Sequence, residues 1–101
     1  MQIHFIEKQR LLTRADNSTQ DWESGYWAVS KDLADSLIGG DIYLHKARDK
    51  PSYFGGQVTG YRIENEGPWE GRVVFQFTAT MEHKGVKTGK TGWSMEKKLV
   101  K

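Results

Sequence analysis

Apolar positions along this chain come in short runs of period two, set apart by glycines and polar clusters. The clearest run is Arg72 to Thr80, in which Val73, Phe75, Phe77 and Ala79 point one way and Gln76 and Thr78 the other, the pattern of a half-buried strand. Ile3, Phe5 and Leu11 give the same signature more weakly within Met1–Leu12. Ile42 and Leu44 alternate with Tyr43 and His45, and Val58 to Ile63 makes a further strand behind Gly55-Gly56. Tyr26 to Val29 is a short strand candidate. Trp93 to Val100, anchored by Trp93, Met95 and Leu99, is a closing one. Gly60 lies inside its strand, where glycine marks a bulge or a close approach by another group.

The period changes once. Leu33, Ala34, Leu37 and Ile38 fall on one face of a two-turn helix that Ser30 is placed to cap, with Asp32 suiting its positive end and Gly39-Gly40 ending it. A helix this short must be held by packing. The segments between the periodic runs predict loops: Thr13–Gly25, long and polar except for Trp22; Ala47–Ser52; the turn Glu64–Gly71; and His83–Gly92. Five or six strands with one or two short helices define an α+β, mostly β chain, read as a small mixed β-barrel. It forms a single domain over residues 1–101, with an N-terminal strand and loop at 1–24 and a flexible basic loop at 84–92.

Composition sharpens this picture in three ways. Only 37% of the 101 residues are apolar, and four Trp, four Tyr and four Phe offset the shortfall with large buried area. Cysteine is absent, which removes disulfides, thiolate metal sites and thiol nucleophiles. The net charge of +2 is uneven: residues 1–83 carry −3 and residues 84–101 carry +5. A basic tail on a slightly acidic body points to a local anion contact, or to a solvated terminus. With neither a leader pattern nor a run of about 20 apolar residues, a cytoplasmic chain without membrane contact is expected.

Few residue patterns suit catalysis. Gly85-Val86-Lys87-Thr88-Gly89-Lys90-Thr91 imitates a phosphate-binding loop, but its glycines stand one residue too close and no helix follows. Lys84, Lys87 and Lys90 remain candidates for contacts to backbone phosphates. His4, His45 and His83 share no metal-ligand spacing, so no metal and no cofactor are expected. His45 should face away from Ile42 and Leu44, toward a pocket rim or water. Ser30 lacks a nucleophile elbow and reads as a helix cap, and Glu64 and Glu66 sit in a turn with nothing to raise a pKa. Trp22, Tyr53, Phe54, Trp69 and Trp93 fall in or beside expected loops, where flat rings either plug a barrel's end or stack a base.

Three segments, Tyr26-Trp27-Ala28-Val29-Ser30-Lys31, Gly40-Asp41-Ile42-Tyr43-Leu44-His45-Lys46 and Phe54-Gly55-Gly56-Gln57-Val58-Thr59-Gly60-Tyr61, follow one another as an aromatic strand, a glycine-acid step into a strand, and a glycine-led strand. In this order they resemble the EVE domains of the PUA-like superfamily over residues 25–63. The resemblance implies a pseudobarrel whose mouth accepts a flipped, often modified, base of DNA or RNA. Trp27, Ser30, Lys31, His45, Lys46, Tyr53, Phe54, Gln57 and Trp93 are the ligand-binding candidates. Lys84, Lys87 and Lys90 would meet phosphate. Related ASCH domains include amidohydrolases of modified cytidine, but their Gly-x-Lys-Thr lies near the domain start, whereas Gly85-Val86-Lys87-Thr88 lies near the end here. The expectation is therefore a non-catalytic nucleic-acid-binding module. A small ASCH-type hydrolase of a modified nucleoside and a protein-interaction accessory protein are the alternatives.

Overall fold

The computed structural model of the protein describes residues 1–8, 12–14, 20–89, 91–94 and 96–100. Seven strands, β1 (Gln2–Ile6), β2 (Leu12–Arg14), β3 (Asp21–Trp27), β4 (Asp41–His45), β5 (Ser52–Ile63), β6 (Val73–Ala79) and β7 (Lys97–Val100), form one sheet in the order β2-β3-β6-β5-β4-β1-β7. Only β1 and β4 run parallel; every other neighbouring pair is antiparallel. One helix, α1 (Lys31–Leu37), connects β3 to β4, and two 3-10 turns, Gly67–Trp69 and Met81–His83, flank β6.

The mostly β class holds, but the sheet is not closed into a barrel: β2 and β7 are its two edges. It coils strongly nonetheless. Three strands separate β3 from β1, yet the rings of Phe5 and Trp27 stack with centroids 3.8 Å apart, and Lys97 Nζ on β7 donates to Ala28 O just past β3 at 3.2 Å. The concave face carries the core: Ile3 and Phe5, Ile42 and Leu44, Val58, and Val73, Phe75 and Phe77, capped by Ala34 and Leu37 of α1. Burying each of the three Phe rings contributes roughly 2–3 kcal/mol.

The helix forms as its sequence dictates. Ser30 accepts from Leu33 N at 3.1 Å, and Ala34 and Leu37 supply the buried stripe. Leu33 is only partly buried, and Ile38 caps the helix end with half its surface exposed. Gly39 and Gly40 then lock the exit, since Gly39 N donates to Val58 O and Val58 N to Gly40 O.

Elsewhere the strand boundaries move. The polar stretch Thr13–Gly25 contains most of β2 and β3 rather than one long loop. Its inward positions are held by Trp22 and the small Ser24, while Asp21 and Glu23 face out to Thr78, Gln76 and Arg62. So little apolar alternation leaves no period-two signal to read. At the other end, β7 covers only Lys97–Val100, with Trp93 ahead of it and Leu99 packed on the core; Leu11 and Met95 lie outside the described residues.

Strand β5 begins six residues before the expected Val58. A Cβ on Gly55 would stand 2.2 Å from Ile42 O, and one on Gly56 would stand 2.0 Å from Thr78 O. Both neighbouring strands press onto this point, and only glycine fits. At Gly60 a Cβ would meet only the mobile end of Gln76, at 3.0 Å. Gly56→Ala should therefore cost about 3 kcal/mol of unfolding free energy, and Gly60→Ala less than about 1 kcal/mol. Urea denaturation of the two variants checks this, and equal losses would contradict it.

Candidate functional site

The coil that brings β3 toward β1 without joining them leaves a seam, and the seam opens into a cleft of about 410 Å³. Phe5, Ile6, Glu7 and Lys8 form one wall, and Gly25 to Val29 the other. Trp69 and Arg72 close one end, and Ser94, Glu96 and Lys97 the other. A volume of this size is typical of small-ligand sites. Its walls are flat and aromatic. One face of Trp27 is covered by Phe5, and its Nε1–H donates to Ser24 Oγ at 3.1 Å, which fixes the indole against the seam. Tyr26 and Trp69 lie parallel, 3° between planes and 5.4 Å between centroids, and the Arg72 guanidinium sits 5.8 Å from the Trp69 ring centre. The charged lining is mixed, Glu7 and Glu96 against Lys8, Arg72 and Lys97, with Lys97 already tied to Ala28 O.

The convex face of β1 and β4 carries a second assembly that gathers all three histidines. In the parallel register His4 stands beside Tyr43, and Ile6 beside His45. His4 and Tyr43 stack at 4.6 Å, Tyr43 leans on His83 at 4.9 Å, and Trp93 sets its edge against both His4 and His45. His45 does face away from Ile42 and Leu44, but it is fully buried rather than turned to water. Trp93 lies over it, its Nε1 donating to Gly89 O, and Lys98 Nζ donates to Thr88 O.

Hydrogen bonding fixes the tautomers. Lys50 O can only accept, so His45 carries its proton on Nδ1 and offers Nε2 as acceptor. His4 must then donate through Nδ1, at 2.9 Å. The other His4 nitrogen, Nε2, lies 3.3 Å from Gln2 Oε1. Burial, with His45 and Lys98 adding to it, lowers the His4 pKa to about 4, and burial lowers that of His45 as well. Burial and the nearby Asp41 carboxylate raise the Tyr43 pKa.

His83 makes a further line: Thr80 Oγ1 lies 2.5 Å from its Nδ1, and its Nε2 lies 2.9 Å from Asp41 Oδ1. A hydroxyl, an imidazole and a carboxylate in sequence form the nucleophile–base–orienter arrangement. The seam cleft does not touch it. Its evident work is to tie the Met81–His83 turn to β4. Among the described residues no group of three or more His, Asp or Glu is set to hold a metal. No helix among them is long and apolar enough to cross a membrane.

Of the ligand-binding candidates, only Trp27 lines the cleft. Ser30 caps α1, and exposed Lys31 pairs with Asp35 at 3.9 Å. His45 is in the convex-face layer, with Trp93 over it, and Lys46 is exposed directly after β4. Tyr53 donates to Glu7 O, so it backs the cleft wall from behind. Phe54 packs edge-on against Trp22 and Phe77 at the other end of the sheet, and Gln57 reaches Gly39 O. Lys84 sits 5.6 Å from the Phe54 ring centre, Lys87 borders a separate hollow, and Lys90 lies outside the described residues. Sequence reasoning missed Phe5, Tyr26 and Arg72 as cleft residues, because only the coil of the sheet brings them together. Comparison with protein-family models, curated proteins and solved structures finds no match to this chain.

The depressed histidines set a pH dependence. Below pH 6.5 the unfolded chain takes up protons that the folded His4 refuses until about pH 4. Stability is therefore fully present above pH 6.5 and falls between pH 6.5 and 4, by up to about 3 kcal/mol from His4 alone. His4→Asn, which keeps a donor toward His45, should flatten that decline in urea midpoints measured across the range. A wild-type midpoint that does not change from pH 7 to pH 4 would refute the buried neutral pair.

Proposed function

We propose that the protein binds DNA or RNA by drawing a single nucleobase, a modified base included, into the seam cleft. The coiled sheet then acts as an EVE-like, PUA-like pseudobarrel left open at one side. The observation carrying this reading is the cleft itself: a concave space of about 410 Å³ walled by Trp27 over Phe5 and by parallel Tyr26 and Trp69. Every base has a π-face, and the outer face of a fixed ring such as Trp69, 40% exposed, is a platform for stacking one. Arg72, Lys8 and Lys97 at the rim supply positive charge for the strand. Glu96 offers an acceptor to a base's exocyclic amine. Among the described residues of the cleft none forms a nucleophile–base pair, which favours binding over hydrolysis.

The reading departs from the resemblance in where the base goes. The pocket wall moves from the residues after β4 to those at the end of β3, the start of the following loop and the Gly67–Trp69 turn. Trp93 and Tyr53 are packing residues, so their removal should cost stability before it costs affinity. Trp69, 40% exposed, is the cleaner probe.

Calorimetric titration with short single-stranded oligonucleotides, with and without modified bases, tests the reading. Trp69→Ala and Tyr26→Ala should each weaken binding by about 1–3 kcal/mol, and wild-type affinity should fall as salt rises. Absence of binding to every oligonucleotide at low salt, or unchanged affinity in both variants, would overturn it.

A further inference from the structure

The second hollow lies at the same end of the sheet as the cleft. It measures about 150 Å³ and is bordered by Arg48, Asp49, Lys50, Lys87 and Gly89. The first three belong to the β4–β5 loop and the last two to segment 84–89, so residues nearly forty positions apart converge on one concavity. Three cations and one carboxylate leave it a formal charge of +2. Among the described residues neither Lys50 nor Lys87 forms an ion pair. With Lys50 and Lys87 both bordering it and Asp49 its single carboxylate, the excess positive charge of the hollow suits an anion.

Both walls are held in place. His45 Nδ1–H anchors Lys50 O at 2.9 Å, and Lys50 N returns to Ala47 O at 3.2 Å. Ser52 binds the other wall four times: its N–H to Val86 O, its O to Gly85 N–H, its hydroxyl to His83 O, and its Oγ accepting from Val86 N–H. Trp93 holds Gly89 O at 3.0 Å. Holding both walls reduces the ordering cost that a pair of free lysines would meet on binding.

The hollow also adjoins the cleft. β1 and β4 are parallel neighbours, so Glu7 and Lys8 at the cleft rim follow β1 where Lys46 to Lys50 follow β4, and Glu7 N donates to His45 O at 2.8 Å. We infer that the Arg48–Lys50–Lys87 hollow is a phosphate-binding subsite, occupied by a backbone phosphate of the strand whose base enters the cleft. The inference rests on the nucleic-acid reading for the source of the phosphate, but not for the anion chemistry.

Amide chemical shifts separate these claims. Sodium phosphate, titrated against sodium chloride at equal ionic strength, should saturably shift amides of residues 47–51 and 85–89 in the wild type and not in Lys50→Ala/Lys87→Ala. Both lysines are exposed, so the double variant should fold as the wild type does. In oligonucleotide titrations the same variant should lower the slope of log affinity against log salt by about 0.7, one single-strand phosphate contact. Indifference of the loops to phosphate together with an unchanged slope would overturn the subsite, whatever Trp69→Ala does. Phosphate shifts with an unchanged slope would assign the hollow to a free phosphate and overturn the strand as its source. Phosphate shifts with no oligonucleotide binding at all would sustain the anion site and refute the nucleic-acid reading.

Discussion

At Gly55 and Gly56 the backbone of β5 passes so close to both neighbours that no side-chain carbon fits on either residue. A long central strand pinched between β4 and β6 in its first half lets the sheet bend around that line. Strand twist accumulates on either side of the pinch. The β3 end and the β1 edge then approach across the concave face until Phe5 meets Trp27. Core, seam and cleft all follow from this approach. A flat arrangement of the same strands would leave Phe5, Phe75 and Phe77 half exposed and would have no cleft.

The two faces of β1 and β4 solve different problems. The concave positions Ile3, Phe5, Ile42 and Leu44 bury apolar area against α1 and β6. The convex positions His4, Tyr43 and His45 are buried too, against His83 and Trp93, and being polar they need partners. Gln2, His4, His45 and Lys50 O supply a directional line in which neutral His45 accepts from His4 and donates to Lys50 O. The line thereby fixes Lys50 and the loop that carries Arg48. A layer that stabilises the fold also sets the position of the charged hollow beside the cleft.

Much of the fold was legible from local pattern. The β6 strand, the Ser30-capped helix and the Ile42–His45 strand were each marked by periodicity or a cap, because their apolar faces repeat regularly. β3 and the first half of β5 were not, since Trp22 with Ser24, and Gly55 with Gly56, bury backbone and small groups that carry no hydrophobic period. The site was less legible still. Trp27 was marked by its aromatic neighbour Tyr26, but Phe5 and Arg72 stand 22 and 45 positions from Trp27 in the chain. His45 could be assigned a face from alternation, yet its burial depended on a segment forty residues later.

Composition and spacing by themselves determined a mostly β chain with one short helix, excluded thiol chemistry, and marked the aromatics and the basic C-terminal stretch as the residues free to meet a ligand. Those properties are local, because propensity and alternation act within a few residues. Only the tertiary structure decided that the sheet stays open, that its seam is the concavity, and that Arg48, Lys50 and Lys87 share a hollow. These depend on how far seven twisted strands rotate about the Gly55–Gly56 pinch, a sum over the whole sheet that no single segment encodes.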